Sequence, residues 1–498
     1  VKTVSANPGR RAMRNTVAYM AAGLIPNFVN LFILPVYTRF VDPGEYGLVA
    51  LVVTTTTFLG AFMGLQLTNS IHRLYFDYEG EERRVYCSTM ILSILLVNVL
   101  LLLPLHLAGP WLARTLFPKV DLPYRPLLLL GFVFMFFQNL VNYGNAMLRV
   151  QERGRALLVS ALIHTAASVG LGLYLVVGRG LGAAGLLAAM AGASAVHAVA
   201  HGWLVRAQIS LSFRASMFRQ AAVYSIPIIP HSLGGILFMY SGKYVASHYV
   251  AIASIGLYEF ADKLAMVFKM LVQSFHHAIS PTFMRESKAD RAAATARFAG
   301  IITRWSAIYA LAFLGMALLF KEVIVWALPA SYRGCYPFVP VLLAAYLFQG
   351  LYGFAADALM FEKKTHWIPA ISLTAGLMNV GLNLVLLPRF GMIAAAWTTL
   401  AAFVFMFGMA LALGRRIYPL RFEWAQLAGI FGGMIACLLA GMAVDTSSLA
   451  LDALVKLGLV AAFAGWLAWL NPASLRAWLR GWLPYRRETR PRERGAAE

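Results

Sequence analysis

Charge is what this sequence has least of. Asp, Glu, Lys and Arg make up 13% of its 498 residues while 60% are hydrophobic, against about 25% charged residues in soluble domains. A chain of this length with so little polar surface cannot stay dissolved in water. Acids are scarcer than bases, with 21 Asp and Glu facing 42 Lys and Arg. Cysteine is nearly missing. Cys87, Cys335 and Cys437 have no CxxC or metal-ligand spacing and no pairing logic, so they read as packed thiols, with no disulfide framework and no bound metal. There is no Walker A lysine loop, no GxGxxG after a strand, no HExxH and no nucleophile elbow. These absences exclude an ATP-driven pump and predict a protein that is not an enzyme and uses no cofactor. Uphill work would draw on an ion gradient, the membrane potential or downstream consumption. No cleavable signal is expected, because the first apolar segment is too long for an h-region and no small-residue cleavage site follows it.

What fills the chain instead is a succession of apolar windows of 18 or more residues, the length a helix needs to cross a hydrocarbon layer of about 30 Å. About fourteen such spans are predicted, the first over 15–38, the seventh over 220–246, the eighth over 252–283 and the last two over 424–443 and 451–470. Residues 137–185 can be laid over 348–396 without a gap. Phe137, Gln138 and Leu140 fall on Phe348, Gln349 and Leu351, Gly170 on Gly381, Gly180 on Gly391, and Arg153 on Lys364. Two apolar stretches share Leu and Ala by chance, but not a Phe-Gln pair, two glycines and a basic turn in register, so the halves read as a duplication. Matching halves around a cleft are how many transporters are built.

Orientation follows from where Lys and Arg fall. With the N-terminus inside, about 29 of them lie in cytoplasmic segments and about 8 in outside loops. Both termini are therefore expected in the cytoplasm, and the two halves are parallel repeats. The predicted fold is all-α and membrane-integral. Two six-helix lobes, 1–215 and 216–420, surround a central cavity, two extra helices lie within 421–471, and 472–498 is a basic cytoplasmic tail. The net charge of +21 then reflects topology and attraction to anionic inner-leaflet lipids, not nucleic acid.

A transporter is read from the polar groups it keeps in hydrocarbon, where a charged side chain at a helix centre costs about 2.5–3.5 kcal/mol on insertion scales. The eighth span keeps several. At 100° per residue, Glu259, Asp262, Lys263, Met266, Lys269, Gln273, His276 and His277 share an arc of about 140°, a stripe suited to water or a ligand. A plain alternative is an internal Glu259–Lys263 pair at i, i+4 that locks helices together, although Lys269 still has no acid partner on its own helix. The seventh span adds His231, Ser232, Tyr240, Ser241 and Lys243, with Pro227 and Pro230 expected to kink it. The first span adds Asn27 and Asn30 before Arg39, which also fits an interfacial anchor. Gln138, Asn139, Asn142 and Asn145 in the fourth span, with Gln349 and Asp357 in the tenth, fit either interhelical hydrogen bonding or saccharide contact. His164, His197 and His201 read as satisfied buried groups.

The stretches LPVYTRFVDPGEYGL over Leu34–Leu48, IHRLYFD over Ile71–Asp77 and IGLYEFADKL over Ile255–Leu264 resemble the polysaccharide-transport branch of the multidrug/oligosaccharidyl-lipid/polysaccharide exporter superfamily, the O-antigen (Wzx-type) flippases. The resemblance covers about residues 10–415. It implies two six-helix lobes around a cavity and movement of an undecaprenyl-diphosphate-linked oligosaccharide from the inner to the outer leaflet of a bacterial inner membrane. It also implies work alongside a polysaccharide polymerase and chain-length machinery. Cavity cations in that family meet the diphosphate, and the positions matching in place and type are Arg39, Lys243, Lys263 and Lys269. The two extra helices resemble those of lipid II flippases, but the N-terminal glycine- and arginine-rich signature of that group is missing, so a peptidoglycan precursor is the second substrate.

The residues support that class on their own. A lipid diphosphate needs a cationic wet cavity, whereas an ion-coupled exporter of cationic drugs needs acids with few lysines. The expected diphosphate path runs from Arg73 and Lys269 past Lys263 at mid-depth to Lys243 and Arg39, with Arg304 as a further candidate. Gln138, Asn142, Gln273 and Gln349 would meet the saccharide, and Glu259, Asp262 or Asp357 would carry a coupling ion if one exists. A small-molecule antiporter and a non-transporting membrane scaffold remain as alternatives, the first marked by dependence on the acids and the second by indifference to acids and lysines alike.

Overall fold

The computed structural model describes residues 8–364, 366–418, 422–444, 446 and 448–470. Lys2 and the basic tail over 472–498 lie outside them. Among the described residues every element is helical. The long helices are α1 (Pro8–Tyr37), α2 (Pro43–Met63), α4 (Gly80–Leu116), α5 (Leu129–Val150), α6 (Gly154–Gly172), α7 (Gly182–Val205), α9 (Ile229–Ala246), α10 (Ile252–Ala289), α11 (Arg291–Ala327), α12 (Phe338–Phe361), α13 (Trp367–Phe390), α14 (Ile393–Ile417), α15 (Trp424–Met442) and α16 (Leu449–Leu470). Two shorter helices, α3 (Leu67–Leu74) and α8 (Ala215–Ser225), lie between them.

Among the described residues, twelve helices are long and apolar enough to cross a membrane, and α8 with α9 makes a thirteenth when taken as one broken span. The chain is thus a multi-pass membrane protein. The expectation of about fourteen spans differs from this count at α10, which is not among the twelve. The physical reason is its charge, since Glu259, Asp262, Lys263 and Lys269 all sit on it. The α8–α9 pair bends by 45°, and Pro227 and Pro230 lie at the bend. Each removes a backbone N–H from the helical ladder.

The chain divides into two compact units, one of residues 1–284 with 323–419, the other of 285–322 with 420–498. Within the first unit the packing repeats itself. α1 packs on α6, α5 on α7 and α6 on α7, and then α9 on α13, α12 on α14 and α13 on α14. The gapless sequence match places α5, α6 and α7 on α12, α13 and α14, so matched segments choose matched neighbours. α2 starts from a complete capping box within the motif Asp42-Pro-Gly-Glu45. Asp42 accepts from the backbone N–H groups of Gly44 and Glu45 at 2.7 and 2.9 Å, and Glu45 accepts from the N–H of Asp42 at 3.4 Å. This satisfies helix-end donors that hydrocarbon would leave orphaned. A buried apolar cluster of Leu67, Ile71, Tyr86, Met90, Tyr143 and Met147 joins α3, α4 and α5, and Tyr143 Oη donates to the carbonyl of Cys87 at 2.9 Å. All three cysteines are unpaired, and Cys87 and Cys335 are buried.

In the second unit α15 packs along α16. Gly429 and Gly433 face Leu470 and Trp466, and the Trp466 indole donates to the Gly429 carbonyl at 3.1 Å. Glycine lets the two helices approach closely, as small residues do wherever helices associate in lipid.

Candidate functional site

The charged face of α10 is built by spacing alone. Positions 259, 262, 263, 266 and 269 recur at three- and four-residue intervals, so their side chains line one face. Around this face the first unit assembles a connected polar network. Lys243 on α9 is buried and forms an ion pair with Glu259. Lys263 donates to Tyr46 Oη on α2 at 2.6 Å, and its ammonium lies 4.7 Å from the centre of the same ring. Tyr346 on α12 donates its hydroxyl to Asp262, and the Lys269 ammonium lies 5.0 Å from the Tyr346 ring centre. Tyr240 performs the same service for Lys243 at 5.2 Å. Each lysine therefore rests on a tyrosine ring, whose electron-rich face attracts a cation without supplying a negative charge. Among the described residues the three ammonium groups of this network stand with two carboxylates, Glu259 and Asp262.

Tyr46 is the hinge of the arrangement. Its ring meets Phe260 and Tyr332 edge-on at 6.1 and 6.3 Å, and Tyr332 Oη donates to the Val41 carbonyl at 2.8 Å. α2 and α10 come close enough here that a Cβ on Gly256 would fall on the Pro43 carbonyl oxygen and one on Gly47 on the Ile252 carbonyl oxygen.

Two cavities of the first unit are lined by candidate site residues. One, of about 260 Å³, is lined by Asn27, Asn30, Tyr37, Tyr46, Glu259 and Lys263 among others. The other, of about 220 Å³, has an uncharged polar wall that includes Thr56, Thr57, Gln66, Gln138, Asn139 and Asn142. Lys243 lines neither, and its ion-pair partner Glu259 lines the first. The i, i+4 pair of Glu259 with Lys263, the plain alternative from the sequence, does not form, and Glu259 pairs with Lys243 across two helices.

The remaining candidates are placed apart from the network. Asp357 is buried and faces His276 Nε2 at 3.1 Å, while Ser280 Oγ donates to its other oxygen at 2.8 Å. Gln349 keeps a buried side-chain oxygen without a hydrogen-bond partner. Gln273 and Arg39 are exposed. Arg73 pairs at the surface with Asp77 at 2.6 Å, and this hydrogen bond raises its pKa above the ordinary guanidinium value. Arg304 belongs to the second unit and donates to its own helix at the Gly300 carbonyl, 3.1 Å away. His164, His197 and His201 form one stack with ring centres 4.9 and 4.3 Å apart.

Sequence reasoning missed Tyr46 and Tyr346. Tyr46 lies one turn beyond the Asp42 cap inside a motif already singled out, but nothing in the pattern says that its hydroxyl reaches a lysine 217 positions away. Also missed was the buried ion pair of Glu322 with Lys456 in the second unit. The available signal was a lone lysine in the middle of an apolar span.

A family model described as "Polysaccharide biosynthesis protein" matches residues 12–286. The chain belongs to the polysaccharide biosynthesis protein family. As a member of it, the protein falls within the multidrug/oligosaccharidyl-lipid/polysaccharide exporter superfamily, and its fold is shared with solved structures from that group. It resembles an inward closed conformation of the lipid II flippase MurJ with a TM-score of 0.73 and 14% identity, covering 93% of this chain and all of that one. It resembles an inward-facing multidrug resistance MATE family transporter at 0.64 and 12% identity, covering 81% of this chain and 95% of that one. A superfamily transporter from Pyrococcus furiosus, described as having a binding pocket of reversed polarity, matches at 0.57 and 14% identity, covering 83% of this chain and 97% of that one. A search of curated protein sequences finds no match. At these identities the structural likeness establishes the fold, while the family match supplies the link to polysaccharide biosynthesis.

Proposed function

We propose that this family member is a flippase for undecaprenyl-diphosphate-linked oligosaccharide, moving it from the inner to the outer leaflet of a bacterial inner membrane by alternating access. The observation that carries this reading is the cluster of buried Lys243 with half-buried Lys263 and Lys269, held on tyrosine rings and outnumbering Glu259 and Asp262. A carrier of cationic drugs needs the opposite balance. The lobes are 1–215 and 216–420, with both termini in the cytoplasm, and the units delivered outside feed a polymerase and its chain-length machinery. The diphosphate sits against Lys263 in the cavity shared with Tyr46, Asn27 and Asn30. Gln138 and Asn142 offer the saccharide a separate uncharged wall. The isoprenoid stays in lipid.

A second substrate, the peptidoglycan precursor, is favoured by one observation. The match to the lipid II flippase spans the whole of that protein and 93% of this chain, which reaches beyond the twelve-helix repeat. The test is headgroup exposure in proteoliposomes, with lipid-linked saccharides in the inner-facing leaflet and an impermeant lectin or glycosidase outside. Protein-dependent exposure is expected, and Lys263→Gln with Lys269→Gln should abolish it while leaving the protein folded. Exposure retained in that double variant sinks the site, and activity toward lipid II alone assigns the second substrate.

A further inference from the structure

One lysine of the network is not open to a ligand. Lys243 is 6% exposed and lines neither cavity, and its ammonium is taken by Glu259, whose own side chain reaches the wall of the 260 Å³ cavity beside Lys263. A phosphate arriving in that cavity meets Lys263 directly but meets Lys243 only through Glu259. An ammonium left alone in apolar surroundings is strongly unfavourable, so an empty carrier of this kind needs an anion in place of the absent substrate. Glu259 meets each requirement. It presents a carboxylate of two oxygens, sits one helical turn from Lys263, and occupies the position from which a phosphate oxygen would bond Lys243.

We infer that Glu259 is an internal stand-in for the substrate phosphate, holding Lys243 when the carrier is empty and exchanging with the diphosphate when it loads. This rests on the flippase reading above and adds to it the residue that keeps binding reversible. A site with three free lysines would grip a diphosphate too tightly to release it. When the diphosphate takes Lys243, the displaced Glu259 carboxylate turns to Lys263, one helical turn along α10, and release of the substrate returns it to Lys243.

The test is equilibrium binding of farnesyl diphosphate, a short diphosphate lipid, to the detergent-purified full chain. Wild type is compared with Glu259→Gln, Glu259→Asp, Lys243→Gln and the double variant Lys243→Gln with Glu259→Gln. Expected are binding to wild type, roughly tenfold tighter binding to Glu259→Gln, and no gain in the double variant, because the freed ammonium is the source of the gain. Glu259→Asp keeps the charge on a shorter arm, so it should fall between wild type and the Gln variant, and it carries the test if Glu259→Gln does not fold. Structural damage weakens binding, whereas freeing the Lys243 ammonium tightens it. If wild type binds and neither Glu259 variant binds more tightly, the stand-in is refuted and the flippase reading survives. A gain that persists without Lys243 has the same meaning. Failure of every form to bind farnesyl diphosphate overturns both.

Discussion

The buried pair of Glu322 and Lys456 offers the sharpest test of how the second unit holds together. Their side chains are 8% and 2% exposed, and the other Glu322 oxygen is buried without a partner. Asp452, one turn before Lys456, is engaged elsewhere, accepting from the backbone N–H and hydroxyl of Thr446 at 2.8 and 2.6 Å. Lys456→Met therefore leaves the Glu322 carboxylate alone in apolar surroundings, a loss of about 3–5 kcal/mol for a broken buried pair. Glu322→Leu strands Lys456 to a similar degree. Replacing both residues removes the two charges together, and well-packed apolar substitutes for a buried pair are neutral or stabilising. The double variant should thus recover most of what each single variant loses, with an interaction term of at least about 2 kcal/mol. The assay is unfolding of the detergent-purified full chain, followed by tryptophan fluorescence across the four proteins of the cycle. If the double variant is as unstable as the two single losses added together, the ion pair does not hold the unit together and the reasoning fails.

Three further substitutions separate the parts of the first unit. Tyr46→Phe keeps the ring under Lys263 and removes only the 2.6 Å hydrogen bond; bonds to charged groups are worth about 1.5–3 kcal/mol, so headgroup exposure should slow by about tenfold or more with folding unchanged, and an unaltered rate removes Tyr46 from the site. Gly256→Val drives a side chain into the Pro43 backbone, which cannot rotate away, so the thermal midpoint should fall, whereas Gly235→Ala, with nothing within 4 Å of the added carbon, should raise stability by up to about 1 kcal/mol through helix propensity. Equal midpoints for these two variants would show that α2 and α10 do not meet as closely as described.

Most of the helical architecture was legible because hydrocarbon imposes length and apolarity on every span, and both are one-dimensional properties. The segments aligned by the gapless match pack on corresponding neighbours. The candidate site was legible only along α10, where charges at three- and four-residue spacing must share a face. Its partners were not. Glu259 had two basic choices, Lys263 on its own helix and Lys243 across the loop, and spacing favours the first while packing selects the second. Tyr46 and Tyr346 arrive from α2 and α12, and the geometry that brings a phenol under an ammonium is set by how three helices cross. The cation candidates Arg39, Arg73 and Arg304 share their positive charge with the cluster, but charge carries no information on depth.

The pairing of Glu259 also revises how a membrane potential acts in the proposed cycle. Lys243, Lys263 and Lys269 against Glu259 and Asp262 leave the empty cluster with one net positive charge. A diphosphate of about two negative charges turns it to one net negative. With the inside negative, the loaded stroke outward and the empty stroke inward are each favoured by up to about 2.3 kcal/mol per 100 mV, so the field assists both halves of the cycle equally. Glu259→Gln removes one negative charge from each state, which makes the loaded cluster neutral and the empty one doubly positive. The whole electrical work then moves to the return step. First-turnover headgroup exposure should lose its dependence on an imposed potential in this variant, while multiple-turnover exposure keeps it. A first turnover that stays as potential-sensitive as in wild type would mean that Glu259 carries no charge through the membrane with the substrate, and that the empty and loaded clusters are balanced by groups other than these five.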